Sequence, residues 1–90
     1  MNRKSAYSSA ILLIFLRNIG KHLESITQVT NFADKQMEQL GIKNDLSEST
    51  KYSIVKELID SGILFIGTRK SGKKQTVHLS KKVAKYFMEE

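Results

Sequence analysis

The stretch that most constrains this chain runs from Leu46 to Lys74, LSESTKYSIVKELIDSGILFIGTRKSGKK. It holds two periodicities back to back. Ile54, Val55 and Leu58 recur at helical spacing and face inward, which leaves Glu48, Ser49, Tyr52, Ser53 and Lys56 outward. Ser47 with Thr50, or Asp45 with Glu48, can cap the start of that helix, and Ser61-Gly62 closes it. Residues 63–68, ILFIGT, are apolar, β-branched and aromatic, so they read as a strand. Residues 75–79, QTVHL, are its partner, with Ser71-Gly72 at the turn between them. Val77 and Leu79 then point one way, and Thr76 and His78 the other. Arg69, Lys70, Lys73 and Lys74 crowd the tip.

Upstream, residues 6–19 read as a first helix, with residues 1–5 polar and loose. The run ILLIFL at 11–16 is apolar nearly all round, so this helix should bury more than one side. In so small a domain a second subunit is the simplest cover. We assign Leu12, Phe15, Leu16 and Ile19, with Phe87 near the far end of the chain, to a homodimer interface. Gly20 should stop the helix, with Lys21 and His22 near the negative end of its dipole.

A second helix follows Ser25, whose spacing to Gln28 is that of a capping box. Ile26, Val29, Phe32, Ala33, Met37 and Leu40 share one face, and Gly41 ends it. A rival register keeps a three-four alternation through Leu16, Ile19, Leu23, Ile26, Thr30, Ala33, Met37 and Leu40, as one long helix would. Glycine inside a helix costs about 1 kcal/mol relative to alanine, so we read two helices. Ser80 can cap a last helix over 81–88, with Val83, Ala84 and Phe87 as its stripe and Tyr86 beside it. The expected fold is mainly α with a β-hairpin (α+β), in the order α-α-α-β-β-α, as one domain over 1–90.

Ninety residues without a cysteine exclude disulfides and thiolate chemistry. ILLIFL is far short of the roughly 20 residues that span a bilayer, so no membrane partner is expected and we read a cytoplasmic, nucleoid-associated protein. His22 and His78 lack carboxylates at ligand spacing, so neither metal nor cofactor is expected. Asp34 and Glu38 read as a solvated face rather than an acid pair, and no residue set supports an enzyme. Phe15, Phe32, Phe65 and Phe87 fall at positions read as core.

The net charge of +6 is unevenly placed. From Ile63 to Lys85 there are seven basic residues and no acidic one, whereas the first 62 residues hold eight basic and seven acidic. A one-signed patch at one end of a domain suits a polyanion.

Ser47 to Leu64, S-E-S-T-K-Y-S-I-V-K-E-L-I-D-S-G-I-L, resembles the recognition helix and its exit in the winged helix-turn-helix family. Ser25 to Ile42 is similar to the preceding support helix, and Leu79-Ser80-Lys81-Lys82 to the segment leaving the wing. The likeness covers roughly residues 6–88 and is nearest to small MarR-, ArsR- and PadR-like regulators. It departs at Lys51, where a small apolar residue usually packs under the helix, and at Val83, which replaces a common glycine. Lys51 can still lay its stem on the core with its ammonium outside.

The resemblance implies a dimer on double-stranded DNA. A recognition helix over 47–61 would lie in the major groove through Ser47, Ser49, Thr50, Lys51, Tyr52, Ser53 and Lys56. A wing over 63–79 would set Arg69, Lys70, Ser71, Lys73 and Lys74 on phosphate or the minor groove. Transcriptional repression is the expected role. The alternatives are segregation of a plasmid or chromosome with a partner ATPase, and a winged helix used only for protein contact.

Overall fold

In a computed structural model the structure describes residues 2–18, 23, 25–68 and 75–88. The elements follow the expected order: α1 (Arg3–Arg17), α2 (Ile26–Gln39), α3 (Glu48–Asp60), β1 (Leu64–Thr68), β2 (Gln75–Leu79) and α4 (Lys81–Met88). The chain is mainly helical, with an antiparallel hairpin whose register pairs Leu64 with Leu79 and Ile66 with Val77.

The first helix differs from the expectation at both ends. It begins at Arg3, because the Asn2 side chain accepts from the Ser5 N–H at 2.8 Å and caps it. Residues 3–5 are therefore helical rather than loose. It stops at Arg17, where Asn18 leaves helical geometry and its Nδ2 donates back to the Ile14 carbonyl at 2.9 Å. With α2 capped anew by Ser25, whose Oγ accepts from the Gln28 N–H at 3.0 Å, two helices form and not one. Ile19, Gly20, Lys21 and His22 lie outside the described residues.

α2 and α3 end alike. Gly41 and Gly62 take positive φ of 69° and 83°. The next residue's N–H then bonds back across the last turn, Ile42 to Met37 and Ile63 to Leu58, each at 3.0 Å. This bond ties Ile63 to the helix, so β1 starts at Leu64 instead of Ile63.

The core joins Tyr7, Ala10, Ile11, Ile14 and Phe15 of α1 with Val29, Ala33 and Met37 of α2, Ile54, Val55 and Leu58 of α3, and Leu64 and Val77 of the hairpin. Two expectations for α2 fail. Phe32 and Leu40 are exposed, and Thr30 and Gln36 are buried in their place. Each has a side-chain partner: Thr30 Oγ1 donates to the Thr27 carbonyl at 2.9 Å, and Gln36 Oε1 accepts from Arg17 at 3.0 Å. Phe32 instead lies under the Lys35 ammonium.

The sequence also hides a short edge. Leu23 exchanges both backbone hydrogen bonds with Val77, at 3.0 and 2.7 Å, which ties the α1–α2 connection to β2. On the outer face of the hairpin, Phe65 stacks on His78 with centroids 4.9 Å apart, so Phe65 is not a core residue. A Cβ at Gly67 would come within 3.0 Å of His78 Nε2 and 3.1 Å of Thr76 Oγ1, a pair that is itself hydrogen-bonded at 2.7 Å. Glycine keeps that pair seated against the strand.

Candidate nucleic-acid interface

The face most suited to a ligand is the outward row of α3. Ser47 caps the helix: its Oγ accepts from the Thr50 N–H at 3.2 Å and sits 2.8 Å from Thr50 Oγ1 and 3.2 Å from Ser49 Oγ. Three hydroxyls thus gather at the positive end of the helix dipole. Ser49, Tyr52, Ser53 and Lys56 follow along one exposed row, with Tyr52 49% exposed. Ser53 Oγ donates to the Ser49 carbonyl at 2.9 Å, which fixes its hydroxyl and leaves its lone pairs outward. Between Ser49 and Lys56 the row carries no carboxylate. Glu48 and Glu57 flank it, and Asp60 follows a turn later.

Three neighbours that the sequence pattern did not single out border this row. On one side Thr27 and Asn31 of α2 line a groove with Ser49 and Tyr52. On the other, Lys4 of α1 lines a depression with Ser49, Thr50 and Ser53. The signal for Lys4 was present, since Asn2 and Ser5 have capping spacing; reading residues 1–5 as loose concealed it.

Lys51 is corrected. It is 7% exposed and belongs to the inward row with Ile54, Val55 and Leu58, so it is not one of the outward contacts. Its ammonium does not reach out past the core as expected. Nζ lies 3.1 Å from Asp34 Oδ1 and 3.5 Å from Glu48 Oε1. Burial disfavours the charged amine, but the hydrogen bond and charge of Asp34, aided by Glu48, outweigh it and hold the pKa above the ordinary lysine value.

Asp34 is half-buried and forms no acid pair with Glu38, but it has partners that a merely solvated face would lack. Its Oδ1 also receives the Tyr7 hydroxyl at 3.3 Å and Asn44 Nδ2 at 2.8 Å. The Tyr7 hydroxyl is also within 3.2 Å of the Thr30 carbonyl. Burial, then the charge and hydrogen bond of Asp34, push the phenol well above its usual range. Arg3 pairs with Asp45 nearby and tethers the start of α1 to the α2–α3 connection.

The other expected contacts divide. Phe15 is only 2% exposed and packed within its own chain, so it is removed from the proposed dimer interface. Leu12 and Leu16 are half-buried, and Leu13, which the apolar run alone does not distinguish, is 36% exposed. Ile19, the side chain of Phe87, and Arg69, Lys70, Ser71, Lys73 and Lys74 lie outside the described residues. Lys81, Lys82 and Lys85 are exposed on α4, continuing the basic end of the chain.

Among the described residues no group of three or more His, Asp or Glu is arranged to hold a metal ion. Among them, too, no helix is long and apolar enough to cross a membrane. Compared with known proteins, the chain matches no family model, and no curated protein or solved structure is significantly similar to it.

Proposed function

We propose that this chain binds double-stranded DNA sequence-specifically, as a dimer that represses transcription. α3 lies in the major groove, and the basic segment 69–74 rests on phosphate. The observation that carries this reading is the outward row Ser49, Tyr52, Ser53 and Lys56, free of carboxylates and set on a helix held from behind by the core and by Asp34. Hydroxyls and a lysine there can donate to and accept from base edges. Lys4 and the basic end of the chain attract the backbone. Regulation of transcription is the role implied by the sequence resemblance.

The test is enrichment from a pool of random duplexes, followed by fluorescence anisotropy on the winner. One sequence family should emerge and bind about 10³-fold or more tighter than random duplex. No enrichment, with an affinity indifferent to salt, would overturn the reading.

The dimer is read from Leu13, with Leu12 and Leu16 beside it, on α1. Light scattering should report a dimer at micromolar concentration, and Leu13→Glu should give folded monomers. A monomeric parent chain would remove this part.

A further inference from the structure

We infer that the ion pair between buried Lys51 and half-buried Asp34 is a positioning device, setting the angle at which α3 presents its reading row and so contributing to sequence discrimination. This rests on the DNA-binding reading above.

Groups from three parts of the fold meet at one oxygen, Asp34 Oδ1: Asn44 from the α2–α3 connection at 2.8 Å, Lys51 from α3 at 3.1 Å, and the Tyr7 hydroxyl of α1 at 3.3 Å, whose one proton is shared with the Thr30 carbonyl. An apolar contact at that place would hold α3 at a distance but would tolerate rotation about its axis. A converging set of hydrogen bonds does not, because each weakens steeply outside a narrow range of distance and angle. An ion pair with one buried member contributes little to stability for its desolvation cost, and the best-attested use of buried pairs is to fix register. Lys51 stands directly before Tyr52 and two residues before Ser53, on the opposite side of the same turn.

The lever arm is short and the tolerance small. With side chains, a helix is about 10–12 Å across, so a rotation of roughly 10° moves an outward tip by about 1 Å. That displacement spans the difference between a hydrogen bond to a base edge and none. Contacts to phosphate, made by long flexible cations, absorb the same shift. The pair should therefore affect discrimination more than grip.

The test compares the parent chain with Lys51→Met, which keeps an unbranched stem and removes the charge, and with Asp34→Asn. Affinities for the enriched duplex and for random duplex are measured across a salt series. The expected result is a fall of about 5- to 150-fold in the ratio of the two affinities, as when one good base contact is removed. The slope against salt should stay fixed. A purely structural role would lower the melting temperature and leave the ratio alone, and that outcome overturns the inference. A second measurement needs no DNA: residual dipolar couplings of the α2 and α3 amides should report a changed angle between the helices in Lys51→Met. An unchanged angle also overturns it. If the parent chain enriches no duplex, the DNA-binding reading fails by itself, while the couplings still decide the orientation.

Discussion

α3 and α4 are both amphipathic and both follow a serine, yet the fold holds them differently. α3 packs against α1, α2 and β1, and buries Ile54, Val55 and Leu58. Its polar inner residue, Lys51, has an ion-pair partner on α2. On α4, Val83 and Ala84 are only half-buried and Tyr86 is 76% exposed. A helix of eight residues has little stability of its own. The lesson is that α3, the helix proposed to read DNA, is fixed by core and ion pair together, whereas α4 offers the core only half-buried side chains. The dimer proposed above is one way to bury them further.

The sharpest way to break this contrast is a pair of truncations. Leu58→Ala should lower unfolding free energy by about 2–5 kcal/mol in urea denaturation. Val83→Ala, at a half-buried site, should stay near about 0.5 kcal/mol. Equal costs would mean that α4 is as integral as α3.

Next in size are the left-handed residues that end α2 and α3. Alanine at Gly41 or Gly62 meets open space but must take positive φ, so each should lose about 1–2 kcal/mol. The two values should agree, because the hydrogen bonding is the same. A large gap between them would show that one helix end is held by more than its cap.

Smaller again is the cap itself. Ser47→Ala removes the acceptor for the Thr50 N–H and should cost about 1 kcal/mol, with faster hydrogen exchange in the first turn of α3. The outward row begins in that turn, so the same variant sharpens how far order in α3 supports its ligand face.

What was legible in the sequence follows from how local each signal is. The caps at Ser25 and Ser47, the glycine exits at Gly41 and Gly62, the pairing of the two strands and the burial of Ile54, Val55 and Leu58 are set by neighbours within a few residues, and they appear as expected. What escaped is long-range. Asp34 and Lys51 are 17 positions apart, and nothing local distinguishes an aspartate that will meet a buried lysine from one in water. Thr30 and Gln36 face inward because each finds a side-chain partner, in the Thr27 carbonyl and in Arg17 of α1. Apolar periodicity left both off the inward face of α2 and placed Phe32 there. The bridge of Leu23 to Val77 joins residues 54 apart through one pair of hydrogen bonds, too short to leave a strand pattern. The candidate site was therefore readable as a row of residues, while the network that aims it was not.

The most direct test of the central claim, that α3 reads bases while the basic segment grips the backbone, is a salt titration by fluorescence anisotropy on enriched and random duplexes. Changing Arg69, Lys70, Lys73 and Lys74 together to alanine should weaken binding to every duplex. It should also flatten the plot of log affinity against log salt by up to about 0.9 for each phosphate no longer neutralised. Alanine at Ser49, Tyr52 or Ser53 should instead cut the preference for the enriched duplex by about 1–3 kcal/mol per good base contact and leave the slope nearly fixed. A variant of the basic segment with unaltered affinity and slope, or α3 variants that bind every duplex more weakly without losing preference, would contradict it.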